Sequence, residues 1–311
     1  MKPVPHFLDI APLRLELLER LIERGFFFKR IAREAPERLK SPLCMEKRLV
    51  LLFFEPSTRT RTSFSLAAKQ LGFDLQPLEP GSMSLVKGEK LVENFLNLGK
   101  LGFDVAVVRH PSSGALHFLS RHIGVSLVNA GDGCHAHPSQ ALLDLMTIKE
   151  RFGELKGLRV GIVGDVAKSR VARSDIHALK KFGATVSLIG PPHFVPDTLE
   201  GPGIKVSHDL DGLLKGLDVL VMLRIQTERA AYDPLLSLSW YREAYAITLE
   251  RFSSLPGHAI VLHPGPVSLG IEMDEEVLKL DRCLSYTQVE NGVFARMAVL
   301  EWAMEGRGRC C

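Results

Sequence analysis

The sequence predicts an α/β fold of two doubly wound parallel-sheet domains bridged by a helix, with the last helix packing back on the N-terminal domain. Three observations carry this expectation. The candidate strands are short continuous runs of Val, Leu and Ile, the pattern of parallel strands covered on both faces. Helix-period segments fall between them, as in βαβ units. Polar clusters recur just past the carboxyl ends of the strands, the edge at which open α/β sheets bind ligands.

Taken in order, strands are expected over Leu49–Phe54, Val105–Val108, Ser126–Val128, Leu158–Val163, Thr185–Ile189, Val219–Leu223 and Ile260–Leu262. Helices are expected from Ser57 to a stop at Gly72, then over Glu89–Leu101, Gly114–Ile123, Pro138–Phe152, Ser169–Phe182 and Leu210–Lys215. The first sheet ends near Asn129 and the second begins at Leu158, so Pro138–Phe152 is the bridging helix. The expected division is residues 1–134 with the last helix, 288–305, against residues 135–287.

Phe54-Glu-Pro-Ser57-Thr58-Arg59-Thr60-Arg61-Thr62-Ser63-Phe64 is the most informative run. Ser57 is a natural N-cap after a strand, so the following backbone N–H groups face whatever sits before the helix. With hydroxyls and a guanidinium added, helix dipole, free donors and a bidentate cation converge on one anion, most simply a phosphate. Arg59 and Arg61, two apart on a helix, face different ways, so one of them meets the anion.

Composition narrows the function. A net charge of +3 with no Lys/Arg stripe is too small a footprint for nucleic acid. No apolar run reaches the length of a membrane span, and Met-Lys-Pro-Val-Pro-His has no signal-peptide core. The five cysteines are odd in number and scattered, which fits reduced thiols and a cytoplasmic location.

Asn129-Ala-Gly131-Asp-Gly133-Cys134-His135-Ala136-His137-Pro138-Ser-Gln140 is a glycine-rich turn leading into a helix. His137 at the positive helix end favours a neutral ring able to donate an N–H to a carbonyl oxygen; a plain capping role fits the same position. Gly131-x-Gly133-x-x-Ala136 also matches a dinucleotide fingerprint, but the ribose-binding acid is missing at the right distance. Cys134, His135 and His137 are metal-ligand types, but no distant partner cluster completes four ligands, so no metal is expected. Arg109 and Arg170, at strand ends, read equally as surface ion pairs, and Lys87 as solvated surface. Arg224-x-Gln226 directly after a strand puts both side chains on one side, a clamp for a carboxylate. His263-Pro264-Gly265-Pro266 is a rigid turn facing substrate, or simply a strand terminator, with Gly265–Pro266 a candidate cis peptide.

Ser57-Thr-Arg-Thr-Arg61, Lys87-Gly-Glu89, Val108-Arg-His-Pro111, Asn129-Ala-Gly-Asp-Gly133, His137-Pro-Ser-Gln140, Arg224-x-Gln-x-Glu-Arg229 and His263-Pro-Gly-Pro266 stand in an order that resembles the aspartate/ornithine carbamoyltransferase family. Arg224, Gln226 and the 263–266 turn point to its aspartate branch; ornithine as acceptor, a dinucleotide-dependent dehydrogenase and a silent scaffold are the alternatives. The resemblance implies a carbamoyl-phosphate-binding N-terminal domain and an aspartate-binding second domain. Ser57, Thr58, Arg59, Thr60, Arg109, His137, Gln140, Pro264 and Gly265 would hold carbamoyl phosphate, and Lys87, Arg170, Arg224 and Gln226 the aspartate. Arg59, Thr60, Lys87, Arg109 and His137 would act in catalysis, without a cofactor. It further implies a homotrimer whose Lys87 loops serve neighbouring subunits; regulatory chains or a dihydroorotase are possible partners. Two positions depart from the family pattern: Met83 stands where a serine is usual, flanked by Ser82 and Ser84, and Ala167 where a lysine is usual, beside Lys168.

Overall fold

The computed structural model describes residues 4–76, 78, 91–225 and 237–305. Two compact units emerge, residues 1–146 with 289–311, and residues 147–288. The first is built on a parallel sheet of β1 (Arg48–Phe53), β2 (Asp74–Gln76), β3 (Val105–His110) and β4 (Ser126–Asp132), in the order β2-β1-β3-β4. The second is built on β5 (Arg159–Val163), β6 (Thr185–Ile189), β7 (Ile204–Ser207), β8 (Val219–Met222) and β9 (Ile260–Leu262), in the order β7-β6-β5-β8-β9, again all parallel. Their central strands are buried on both faces, which explains their unbroken apolar sequence.

The order of the strands changes direction between β1 and β3 in one sheet and between β5 and β8 in the other. Such switch points open a crevice at the carboxyl edge.

Helices cover both sheets: α1 (Leu15–Glu34), α2 (Thr58–Leu71), α3 (Leu91–Lys100), α4 (Ala115–Ser120), α5 (Pro138–Phe152), α6 (Arg170–Lys181), α7 (Asp211–Leu214), α8 (Leu238–Tyr245), α9 (Leu249–Ser254) and α10 (Ser285–Trp302). By sequence, α5 runs from the first unit into the second, and α10 returns the chain to the first. There α10 packs on α1: Lys29 Nζ donates to Asn291 Oδ1 at 2.8 Å and Arg24 Nη2 to Glu301 Oε1 at 2.8 Å. No helix among the described residues is long and apolar enough to cross a membrane.

Three features differ from the sequence expectation. The twenty-residue α1, α8, α9 and the edge strands β2 and β7 are additional elements. β4 continues through Asp132 rather than stopping at Val128. Arg109 lies within β3 rather than after it, next to a register irregularity between Val108 and His110. Gly72 does end α2, with φ +90° and its N–H returned to Ala68 O. The Gly265–Pro266 bond is cis.

Candidate active site

In the first unit, β1 delivers the chain to Glu55 and Ser57 immediately before α2. Ser57 is extended (φ −163°, ψ 90°), and its hydroxyl makes no capping bond to the helix, whose first-turn amides face the strand end. Thr58 and Arg59 are exposed on that turn and Thr60 is buried beneath it. Arg109 reaches the same place from β3. It pairs in register with Phe53, and its carbonyl accepts the Phe54 N–H at 2.9 Å. Its guanidinium Nε lies 3.4 Å from Glu55 Oε2, both side chains being mostly buried. The phosphate-type run and Arg109 thus flank the β1/β3 switch point.

The turn after β4 is held by Asp132, which is wholly buried. Its carboxylate accepts the N–H of Gly114 at 2.7 Å and of Ala136 at 3.1 Å, and Asn129 Nδ2 at 2.8 Å. Gly133 has φ +47°, and a Cβ there would stand 2.6 Å from Ser113 N and 2.9 Å from Pro111 O. Its own N–H goes to His110 O at 2.9 Å, and that of Gly131 to Asn129 Oδ1 at 2.8 Å. A dinucleotide fingerprint needs those amides and that space for a pyrophosphate; here protein fills both.

The turn ends at His137, 4 % exposed, whose carbonyl accepts the amides of Gln140 and Ala141 as α5 begins. Gln140 is also buried, and its Nε2 donates to Asp144 Oδ1 at 3.1 Å. A carboxylate only accepts, which assigns the amide nitrogen to that side and leaves Oε1 as an acceptor. Behind Asp144 stands Arg296 of α10, buried, with its guanidinium 5.1 Å from the Phe64 ring centroid. Burial pushes its pKa down to about 10, against the Asp144 carboxylate nearby, so it remains charged at neutral pH. His110, at the end of β3, has its pKa lowered chiefly by burial, and its Nδ1 accepts the Ser112 N–H at 3.0 Å. Asp144, Arg296 and the Glu55–Arg109 pair were not anticipated; Asp144 is one helical turn from Gln140, whereas Arg296 and the Glu55–Arg109 pair join segments too distant for local pattern to reveal.

In the second unit, β5 ends at Gly164 (φ +127°), where a Cβ would stand 3.0 Å from Leu223 Cβ. Ser169 then caps α6 by accepting the Ala172 N–H at 3.1 Å, which sets Arg170 on the helix's first turn. Lys168 is exposed, its N–H bonded to Asp165 Oδ1. Arg224 follows β8, between Leu223, whose N–H bonds Val163 O at 2.8 Å, and Ile225, whose N–H bonds Glu272 Oε1 at 2.6 Å. Pro264 and Gly265 follow β9, where Gly265 N donates to His263 Nδ1 at 2.8 Å. Arg170 and Arg224 therefore flank the β5/β8 switch point. Lys87, Gln226, Met83 and its flanking serines lie outside the described residues.

One further grouping of metal-ligand types involves His135. Asp9 and His117 come within ligand reach of it, whereas neither Cys134 nor His137 joins them.

The family model described as the aspartate/ornithine carbamoyltransferase carbamoyl-P binding domain matches residues 5–150. The one described as the Asp/Orn binding domain of the same family matches residues 156–303. The chain belongs to the aspartate/ornithine carbamoyltransferase family. Within that family it is 41 % identical over 300 residues to the aspartate carbamoyltransferase catalytic subunit of Desulfosudis oleivorans, covering 96 % of each chain. It is 42 % identical over 301 residues to that of Halothermothrix orenii, covering 97 % of this chain and 95 % of the relative. Among solved structures it is similar to the catalytic subunit of M. jannaschii aspartate transcarbamoylase, with 30 % identity, a TM-score of 0.83, and coverage of 99 % and 100 %. It is also similar to the Trypanosoma cruzi aspartate transcarbamoylase in complex with N-(phosphonacetyl)-L-aspartic acid, with 28 % identity, a TM-score of 0.85, and coverage of 97 % and 96 %.

Proposed function

We propose that this chain is an aspartate carbamoyltransferase: it moves the carbamoyl group of carbamoyl phosphate to the α-amine of L-aspartate, giving N-carbamoyl-L-aspartate and phosphate, a step of pyrimidine biosynthesis. The observation that carries the proposal is the placement of the Ser57–Thr60 helix start beside Arg109 at the β1/β3 switch point. First-turn amides, hydroxyls and two guanidinium groups suit a dianionic phosphate better than any neutral ligand.

The chemistry follows from these groups. The first unit binds carbamoyl phosphate, with Ser57, Thr58, Arg59, Thr60 and Arg109 on its phosphate. His137, Thr60 and Arg109 polarise the carbonyl oxygen and stabilise the negative charge that grows on it as the amine attacks. Gln140, its Nε2 held by Asp144, accepts the carbamoyl N–H through Oε1. The second unit binds aspartate, with Arg170, Arg224 and Gln226 on the carboxylates; Lys87 supports the same substrate, and Pro264 and Gly265 contribute backbone carbonyls toward the carbamoyl group. The new C–N bond forms, the C–O bond to phosphate breaks, and the departing phosphate takes the amine proton. Orientation and fixed positive charge supply most of the acceleration.

The chain works as a homotrimer in which Lys87 serves a neighbouring subunit's site, and it acts in the cytoplasm. Cys44, Cys134 and Cys283 form no disulfide, which supports a reducing compartment. The direct test is transfer by the purified chain: N-carbamoyl-L-aspartate formed from the two substrates supports the assignment, and no product above the uncatalysed rate overturns it.

A further inference from the structure

We propose that Asp9, His117 and His135 bind one divalent transition-metal ion of the zinc type, at a site separate from the carbamoyl-transfer residues. One donor atom from each lies within 4.8 Å of the other two. They come from three segments of the first unit. Asp9 follows Phe7, which pairs alongside β4 through Phe7 N to Leu127 O at 2.8 Å and Asn129 N to Phe7 O at 2.9 Å. His117 lies in α4, and His135 in the turn held by Asp132.

His135 Nδ1 stands 3.0 Å from Asp132 Oδ2, and a carboxylate that already takes three other donors can only accept, so a proton sits on Nδ1. That tautomer turns the Nε2 lone pair outward, where it meets Asp9 Oδ2 at 3.7 Å. The other Asp9 oxygen is engaged by the Ala11 N–H at 3.2 Å, which fixes the carboxylate's orientation. With the ring neutral, two acceptors face each other, and a metal cation between them satisfies both. The His117 ring completes the concave face, its centroid 5.3 Å from that of His135 at 73°.

A zinc ion with bonds of about 2.0–2.1 Å keeps tetrahedral ligands roughly 3.4 Å apart. The His135–Asp9 separation is within a few tenths of an ångström of that, and rotation of the partly buried His117 side chain closes the third side. Two imidazoles and one carboxylate select zinc, cobalt or nickel over magnesium or calcium. Three protein donors leave a position for water. Asp132 behind His135 is the carboxylate–histidine support that metal-bound imidazoles ordinarily have. An ion here would tie the N-terminal segment, α4 and the turn before His137 together.

Co²⁺ serves as the probe, titrated into the tag-free, chelator-stripped full chain and followed by its visible d–d absorption and by Tm. The expected result is saturation at one ion per chain with a rise in Tm, retained when Cys310→Ser and Cys311→Ser remove the terminal thiols. His117→Ala and Asp9→Asn, checked for folding by circular dichroism, should each weaken binding at least about tenfold and abolish the Tm rise. His122→Ala, at an exposed histidine nearby, should leave both unchanged. Absence of the band in the stripped parent chain, or a band and Tm rise that survive in both His117→Ala and Asp9→Asn, would overturn the proposal; the groups then share a proton instead.

Discussion

The His263 ring and the Glu272 carboxylate meet at 3.2 Å, with neither side chain exposed to solvent. Glu272 is the organiser of the second unit's carboxyl edge. Its Oε1 also accepts the Ile225 N–H, and its Oε2 the Ser268 N–H at 2.7 Å, so one carboxylate ties the residue after Arg224 to the turn after β9. Glu272→Ala strands all three donors and should cost about 3–5 kcal/mol in urea unfolding, the range for breaking a buried pair. Glu272→Gln keeps an acceptor for Ile225 and should cost less, while raising the KM for aspartate through a loosened Arg224. Equal stability of parent and Glu272→Ala would contradict this role.

Arg59 tests the anion site without endangering the fold, since it is exposed on the first turn of α2. Arg59→Ala should lower kcat/KM for carbamoyl phosphate about 10- to 150-fold, equivalent to about 1.5–3 kcal/mol for a charged hydrogen bond. Its unfolding midpoint should stay near that of the parent. Near-normal turnover would remove Arg59 from the site.

How much of this was legible beforehand varies with the range of the interaction. The Ser57 run and the Gly72 stop are local signals, and the structure uses both. α1 escaped notice because its start lacks a capping residue, with Arg14 at the N-cap, and because Gly25 sits in its interior. β2 and β7 are short and partly polar, and become strands only by pairing with β1 and β6. The Asp9–His117–His135 cluster and the Gln140–Asp144–Arg296 arrangement join segments far apart in the chain, and no period or spacing carries that information.

Acid stability should report a different part of the second unit. Burial alone would raise the Asp218 pKa, but hydrogen bonds from Arg159 and His258 outweigh it and hold it down to about 2, from 3.8. A depressed carboxyl stabilises the folded state above its unfolded pKa, and that contribution disappears as the pH falls from 3.8 through 2. Allowing for the half-exposed Arg159 partner, the contribution is about 1–2 kcal/mol. Asp218→Asn should therefore be less stable than the parent at pH 6, with the gap closing toward pH 2 in a chemical-denaturation series. A gap independent of pH would contradict the pairing.

Shared sites in a trimer predict complementation. Lys87→Ala chains and His137→Ala chains should each be inactive, and a mixture allowed to exchange subunits should regain a fraction of parental activity. No recovery, with exchange demonstrated by mass, would mean that each chain builds its own site.

The most direct test of the central claim is a comparison of carbamoyl transfer to L-aspartate and to L-ornithine under identical conditions, in the parent and in Arg224→Ala. A guanidinium after β8 would attract a second carboxylate and repel an ammonium, so specificity would come from both effects. The parent should use aspartate far faster than ornithine, and Arg224→Ala should raise the aspartate KM steeply while carbamoyl-phosphate binding stays nearly intact. Faster transfer to ornithine, or unchanged aspartate kinetics in Arg224→Ala, would contradict the account.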